Sequence, residues 1–419
     1  MRAPRGRVRR ASALALVLML AWLPAAAARS PAILLDDTDG RVLMAVDAKQ
    51  PWYPASLAKL MTLYLAFEAL AAGQLDLDAK LTTSQLAAQQ GGTRLGLAKG
   101  ATLTAGQAIL ATVTRSANDA AVVLAEAIAG SETAFAARMT ERARDLGMVA
   151  TTFANATGLP GPPQWTTAAD MALLAHALIH DFADRYALFS TRHITWQGRQ
   201  LPNINGLLGS FPGADGLKTG FTCGAGYNIV ASAENGGRRL IAVVLGATSL
   251  DARRSEVTRL LQGGFVGKLP KDALPAGTPE PAAGPVAAAA ATMSAGGAPP
   301  PLPAIKPVLP SGCGAESAQP AALGSDPLRG WALTVGNAHQ QRDARAMLDA
   351  AKTALGGDLR GGRPVIVERH IGALPPYRAL IVGYDEARAT ATCMTLRRRE
   401  AYCIVLNPEQ LASPHAIWN

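Results

Sequence analysis

Three short motifs in this chain carry hydroxyl, amine and amide groups that together could perform acyl transfer. In chain order they are Ser56-x-x-Lys59, Ser116-x-Asn118 and Lys218-Thr219-Gly220, and each pattern occurs once in the 419 residues. A serine hydroxyl becomes a nucleophile when a neighbouring amine accepts its proton. Each motif alone is weak, but the ordered set predicts a nucleophile with its base, followed by groups that bind a substrate.

The first motif lies at the start of an apolar run in the stretch YPASLAKLMT. The run predicts a helix of about four turns that begins near Ser56 and ends before Gly73. Residues three apart share one face of a helix, so the Ser56 hydroxyl and the Lys59 amine could meet there. Burial against the helix would lower the pKa of Lys59 and leave a neutral amine. The alternative is that Ser56 only caps the helix and Lys59 is solvated, and the spacing alone does not decide.

The elements that must position these motifs follow from the hydrophobic periodicity. The second motif precedes a predicted helix, and the third lies at the start of a strand-like run. Strand-like runs at 32–35 and 240–245 bracket a long helical middle. Its predicted helices span residues 57–70, 119–129, 133–146 and 168–179. This order predicts a sheet built from both ends of the domain, with a helical insertion between them.

The N-terminus has the pattern of a secretory signal peptide, which we place at residues 1–28. Five arginines within the first ten residues precede an apolar run to about Leu23 and a small-residue site at Ala26-Ala27-Ala28. The alternative is an uncleaved membrane anchor, but the apolar core is shorter than the roughly 20 residues a span needs. Those arginines account for five of the nine net positive charges, so a nucleic-acid-binding function is not supported.

Composition divides the rest of the chain into a domain at 29–265, a linker at 266–327, a module at 328–408 and a tail at 409–419. The linker holds 13 of the 28 prolines and is rich in alanine and glycine, which predicts disorder. The module has the predicted order β-α-β-β-α-β of a ferredoxin-like fold.

The cysteines and histidines add two further expectations. Export permits disulfides, and Cys393 and Cys403 lie in one short segment, so they form the predicted pair. The pairing of Cys223 and Cys313 stays open. His176 and His180 have the spacing of helical metal ligands, but no third ligand accompanies them in the sequence, so no metal site is predicted.

The longer segments around the motifs resemble the low-molecular-weight, penicillin-binding D-alanyl-D-alanine carboxypeptidases of the S11 type. The resemblance covers roughly 30–265 and rests on PASLAKLMT, RSANDAAVVLAE, LGMVATTFANATGLP, TTAADMALLAHALI and GADGLKTGFTCGAGYNIVASA. It implies an α/β catalytic domain of the β-lactamase/DD-peptidase type: an antiparallel sheet flanked by helices plus a helical subdomain. The active site would lie between them.

The resemblance also implies a role for each residue of the motifs. Ser56 would be the acylated nucleophile, Lys59 its general base and Ser116 the proton relay to the leaving amine. The implied substrate-binding residues are Asn118, Lys218, Thr219, Gly220, Phe221 and Arg253, with Arg254 as a rival for the last position. The oxyanion hole would consist of the backbone N–H groups of Ser56 and Phe221.

In the C-terminal module, WALTVGNAHQQRDARAMLDAAKTAL and YRALIVGYDEARATATCMTL resemble a SPOR domain, which implies binding to peptidoglycan glycan strands. The alternative is a module that only spaces the enzyme or binds protein.

Together these resemblances predict a periplasmic serine carboxypeptidase without cofactor or metal. It would remove the terminal D-alanine from peptidoglycan pentapeptides and be acylated by β-lactams. After signal cleavage no membrane anchor is expected, and the division septum is a candidate site of enrichment. The alternatives are a DD-endopeptidase, a β-lactamase-like hydrolase and a non-catalytic wall-binding protein.

Overall fold

The computed structural model describes residues 30–161, 164–269, 328, 330–338, 340–368, 377–399, 401–408 and 411. The predicted signal peptide, most of the predicted linker and all of the predicted tail except Leu411 lie outside these residues.

A five-stranded antiparallel sheet forms the centre of the catalytic domain. Its strands are β1 (Ala32–Asp36), β2 (Arg41–Val46), β7 (Ala214–Thr222), β8 (Gly226–Asn235) and β9 (Arg238–Ala247), in the spatial order β2-β1-β9-β8-β7. The first and last strands of the domain pair directly, with Ala32 opposite Val244. The expectation of a sheet built from both ends of the domain is therefore confirmed, and β7 is left as an edge strand.

A helical part is inserted between β2 and β7. Its helices are α1 (Ala58–Ala71), α2 (Gln85–Ala88), α3 (Ala105–Thr114), α4 (Asn118–Ala129), α5 (Glu132–Asp145), α6 (Ala168–Asp181) and α7 (Ala183–Tyr186). Two small hairpins accompany them: β3 (Lys80–Thr82) with β4 (Thr102–Thr104), and β5 (His193–Trp196) with β6 (Arg199–Pro202). Helix α8 (Leu250–Val266) follows β9.

Helix α1 is the central helix of this part, and it is buried on almost every side. Leu60, Met61, Leu63 and Phe67 are each 0% exposed, because the run is apolar around the whole helix rather than along one stripe. The helix begins at Ala58, after a 3-10 turn at Ala55–Leu57. Neither element has a side-chain capping bond, so the alternative in which Ser56 only caps the helix is wrong.

The central sheet separates two hydrophobic cores. One face, with Ile33, Val243 and Leu245, packs against the helical insertion. The opposite face, with Leu34 and Val244, packs against α8. This alternation follows from the two-residue period of a strand. Packing on one face of the sheet places the helical insertion beside β7.

The C-terminal module has strands β10 (Trp331–Ala338), β11 (Arg363–Glu368), β12 (Tyr377–Tyr384) and β13 (Ile404–Leu406), with helices α9 (Gln341–Ala354) and α10 (Glu386–Arg398). The sheet is antiparallel with the order β11-β12-β10-β13, and the chain order is β-α-β-β-α-β. This is the arrangement of a ferredoxin-like module. The last strand is the shortest of the four, with three residues.

Among the residues that the structure describes, no single helix is long and apolar enough to span a membrane. Only α4 and α5 taken together reach the required length and composition, and they are bent by 82° relative to each other.

Candidate active site

Ser56 lies where three segments of backbone meet. The residue before it, Ala55, has a positive φ of 48°, an unusual conformation for a non-glycine residue. A Cβ atom built on Gly158 would lie 1.7 Å from the Ala55 carbonyl oxygen, and one built on Gly220 would lie 3.1 Å from the Ser56 nitrogen. A glycine is therefore required at position 158, and a side chain at position 220 would crowd the Ser56 amide, because other segments of the backbone approach Ser56 so closely.

Lys59 is in direct contact with Ser56. Its Nζ lies 3.0 Å from Ser56 Oγ and donates to the Thr157 carbonyl at 2.6 Å. The side chain is 0% exposed. Burial lowers the pKa of the Lys59 amine well below its usual range, and the charge of Lys218 lowers it further. A neutral amine that donates to Thr157 can accept the Ser56 proton, so the sequence-predicted pair has the geometry of a nucleophile and its base.

Asp119 and Glu132 act in the opposite direction and raise the pKa of Lys59. Asp119 accepts backbone hydrogen bonds from Leu95, Gly96, Leu97 and Ala120, at 2.8–3.0 Å. It therefore fixes the loop that precedes the second motif, a function that the sequence analysis did not assign.

The second motif presents two polar atoms without partners among the described residues. Ser116 has a positive φ of 55°, is 1% exposed and its Oγ makes no hydrogen bond. Asn118 donates from Nδ2 to the Gly91 carbonyl at 2.6 Å, while its buried Oδ1 has no partner. Buried polar groups are normally paired. These two atoms are therefore free to receive a substrate hydroxyl or amide.

The third motif lies on the edge strand β7. An edge strand offers a row of backbone groups to an extended peptide. Lys218 and Thr219 are 1% and 5% exposed, and the Lys218 Nζ donates to the Thr219 carbonyl at 2.9 Å. Because Gly220 has no side chain, the Ser56 amide remains open toward this strand. The positions of Ser56, Gly220 and Phe221 are compatible with the predicted oxyanion hole.

Arg253 extends from α8 toward the third motif. Its Nη1 lies 3.5 Å from the carbonyl of Asn228, the residue that pairs with Gly220 across the sheet. Burial and the charge of Arg253 lower the pKa of Lys218 to about 7. Burial also lowers the pKa of Arg253 to about 10. An anion between these two buried groups, such as a substrate carboxylate, would stabilise their charged forms.

The loop from Ala154 to Leu159 supports Lys59 and was not singled out from the sequence. The Asn155 Oδ1 accepts from the Thr157 and Gly158 amides at 3.1 and 2.7 Å, which folds the loop so that the Thr157 carbonyl faces Lys59. The segment FANATGLP contains these residues, but no spacing rule connects it to a site 98 residues earlier.

Outside the site, the structure joins Cys393 and Cys403 in a disulfide. Cys313 lies outside the described residues. His176 and His180 both approach the buried Asp37, at 2.6 and 3.2 Å. In the described part of the chain, Asp37, His176 and His180 are the one group of three potential ligand side chains close enough together to hold a metal ion. The sequence-based reason for excluding a metal, the lack of a third ligand, is therefore wrong, although these distances are those of hydrogen bonds between imidazole and carboxylate.

Residues 20–249 match the family model of D-alanyl-D-alanine carboxypeptidases, Peptidase_S11. Escherichia coli DacC, a D-alanyl-D-alanine carboxypeptidase, is 40% identical over 240 residues, which cover 56% of this chain and 60% of DacC. Bacillus subtilis DacF is 37% identical over 239 residues, 56% of this chain and 61% of DacF. The chain thus spans about 60% of the length of these curated relatives.

Solved structures show the same likeness. D-alanyl-D-alanine carboxypeptidase DacD from Francisella tularensis matches with a TM-score of 0.55 and 32% identity, over 56% of this chain and 70% of DacD. Ampicillin-bound penicillin-binding protein D2 from Listeria monocytogenes matches with a TM-score of 0.52 and 34% identity, over 56% of this chain and 96% of its own. The catalytic domain therefore has the predicted DD-peptidase fold, and the chain belongs to the S11 family of D-alanyl-D-alanine carboxypeptidases.

Proposed function

We propose that the catalytic domain is a serine D-Ala-D-Ala carboxypeptidase that removes the terminal D-alanine from peptidoglycan pentapeptides. The observation that carries the proposal is the wholly buried Lys59 with its amine 3.0 Å from the Ser56 hydroxyl. Family membership and the relatives' activity support the same reaction.

In the first step, Lys59 takes the Ser56 proton and Oγ forms a bond to the carbonyl carbon of the penultimate D-alanine. The carbonyl becomes an oxyanion held by the Ser56 and Phe221 amides. When the tetrahedral adduct collapses, the C–N bond breaks. Ser116 passes the proton held by Lys59 to the departing amine, so that D-alanine leaves and an ester remains on Ser56. Water then attacks the ester carbonyl while Lys59 takes its proton. The bond between the carbonyl carbon and Ser56 Oγ breaks, Ser56 regains the proton from Lys59, and the shortened peptide leaves.

The substrate would lie along β7 as an additional strand. The Asn118 Oδ1, buried and without a partner, would accept a substrate amide N–H. Thr219 would donate its hydroxyl to the terminal carboxylate, and Lys218 and Arg253 would supply the positive charge. This arrangement explains a preference for a free C-terminal carboxylate.

β-Lactams should acylate Ser56, because they present a reactive amide in the same position as the D-Ala-D-Ala bond. Hydrolysis of the β-lactam adduct on Ser56 should be slow. Of the two carboxylates that act on Lys59, Asp119 accepts four backbone hydrogen bonds and Glu132 is held by the Ala156 amide. Neither is placed as the dedicated carboxylate base with which a β-lactamase hydrolyses its acyl-enzyme, which favours the peptidase over the β-lactamase alternative.

The remaining part of the proposal concerns location. The signal-peptide pattern and the resemblance of the C-terminal module to SPOR domains support a periplasmic enzyme that binds glycan strands, with enrichment at the division septum. The module would raise the effective concentration of the catalytic domain at the wall. Co-sedimentation of the purified chain with isolated peptidoglycan tests this. Absence of the Ser56→Ala variant from the pellet at any wall concentration would contradict it.

The catalytic proposal is tested by D-alanine release from a synthetic pentapeptide. The wild-type chain should release one D-alanine per peptide, and Ser56→Ala should release none. Equal release by both proteins would refute the assignment of the nucleophile.

A further inference from the structure

The C-terminal module packs on the catalytic domain through the sheet face that is opposite its own helices. Ala332, Leu380 and Ile404 belong to the hydrophobic core that contains α1 and the helical insertion. Their neighbours Leu333 and Ile381 face the other way, into the module's own core. Because successive strand residues alternate between faces, the whole inner face of this sheet lies toward the catalytic domain.

Arg397 at the end of α10 makes the most specific contact across this interface. Its Nη1 donates to the Ala154 carbonyl at 3.0 Å. Its Nη2 and Nε donate to the Cys403 carbonyl at 2.8 and 3.1 Å. The Cys393–Cys403 disulfide ties that carbonyl to α10, one helical turn before Arg397. The guanidinium is thus held in a fixed orientation and joined to the loop that supports Lys59.

The loop continues from this contact to the catalytic base. Ala154 is followed by Asn155, whose side chain folds the loop, and by Thr157, whose carbonyl binds Lys59. The Ala156 amide donates to Glu132 at 3.2 Å. Glu132 is 7% exposed, and its charge acts on both Lys59 and Arg397. Arg397 therefore balances a buried carboxylate next to the base.

Tyr402 makes a second contact, with the backbone at Gly91, which in turn holds Asn118. A Cβ atom built on Gly91 would lie 2.9 Å from Tyr402 Oη. The carbonyl of Gly91 holds the Asn118 side chain at 2.6 Å. Tyr402 and Arg397 line one small cavity of about 10 Å³ together with Glu132 and Thr157, so the two contacts form one interface.

We propose that the C-terminal module is a structural part of the active site, in which Arg397 and Tyr402 are positioning residues for Lys59 and Asn118. The module then contributes to catalysis as well as to location. This inference rests on the proposed function, since it assigns the module to the same acylation reaction.

The test measures the second-order rate constant for acylation by a fluorescent penicillin, with full-length protein, between pH 5 and 9. Arg397→Gln should slow acylation between about tenfold and a hundredfold, as expected for a misplaced base. Of the groups facing Lys59, Lys218 and Asp119 are unchanged in this variant, whereas Glu132 loses its balancing cation. The pKa of the buried Glu132 carboxyl then rises, less of its charge remains to raise the pKa of Lys59, and the acid limb of the profile moves to lower pH. Arg397→Lys should recover part of the rate.

Arg398→Gln is the matched control, because Arg398 is exposed on the same helical turn. It should have the wild-type rate and profile. If Arg397→Gln folds, as judged by circular dichroism, and acylates like Arg398→Gln at every pH, the inference is wrong. If the wild-type chain is not acylated at all, the proposed function fails instead, and the two failures are distinct.

A second variant tests the Tyr402 contact without removing a charge. Tyr402→Phe removes the hydroxyl that lies against Gly91 and should slow acylation about fivefold, as expected for a small displacement of Asn118. A Tyr402→Phe variant that is folded and as fast as wild type would contradict the positioning role of Tyr402.

Discussion

Gly158→Ala is the substitution for which the structure gives the clearest expectation. Gly158 has a φ of +79°, and an added Cβ would lie 1.7 Å from the Ala55 carbonyl oxygen and 2.4 Å from its carbonyl carbon. Real Cβ contacts are not shorter than 3.0 Å, so the two backbones must separate by about 1.3 Å. Since Ser56 is bonded to that carbonyl, the nucleophile moves with it. A misplacement of about 1 Å costs roughly a hundredfold in rate.

Gly147→Ala is a close control for the backbone part of this effect. Gly147 has the same φ of +79°, but an added Cβ there would have nothing within 4 Å. Both variants carry the strain of a left-handed alanine, about 1–2 kcal/mol. For a domain of this size that strain lowers Tm by about 2–8 °C.

The assay is β-lactam acylation at a temperature well below both midpoints. We expect Gly147→Ala to react at the wild-type rate and Gly158→Ala to react about a hundredfold more slowly. Equal rates for the two folded variants would refute the reasoning that the 154–159 loop fixes the nucleophile.

Three further predictions follow from the charges and the disulfide. For a peptide with a free C-terminal carboxylate, kcat/KM should fall as pH rises through about 7, because Lys218 loses its proton there. An ester substrate without that carboxylate should show no such fall. Identical pH profiles for the two substrates would contradict the role of Lys218. Asp119→Asn should lower the free energy of unfolding by about 2–3 kcal/mol, which chemical denaturation measures. Because Asp119 raises the pKa of Lys59, the variant should also move the acid limb of the acylation pH profile to lower pH. An unmoved acid limb would count against the electrostatic interaction between Asp119 and Lys59. Replacing Cys393 and Cys403 together by serine should destabilise the module by about 3 kcal/mol; an unchanged denaturation midpoint would show that this disulfide does not contribute.

The contact between Ser56 and Lys59 could be predicted from the sequence because one short motif contains both residues. Ser56 and Lys59 are three residues apart, and the 3-10 turn that contains Ser56 continues into the first turn of α1, which contains Lys59 and brings the two side chains together. The boundaries of that helix were less predictable. The sequence favoured a start at Ser56, but the helix begins at Ala58, since Ala55 turns the chain first.

The supporting residues could not be found in this way, since their partners are distant in sequence. Thr157 binds Lys59 across 98 residues, and Arg397 contacts Ala154 across 243. Asp37 joins His176 across 139 residues. These contacts depend on how the sheet, the helical insertion and the module pack, and no local period or spacing encodes them.

Acylation of Ser56, with Lys59 as its base, is the step on which the proposed reaction depends. It can be observed by mass spectrometry of the intact chain after incubation with a β-lactam, followed by peptide mapping. We expect a single adduct of the mass of the intact β-lactam on the peptide that carries Ser56, absent in Ser56→Ala and formed much more slowly in Lys59→Ala. An adduct on another residue, or none on the wild-type protein, would show that Ser56 is not the nucleophile.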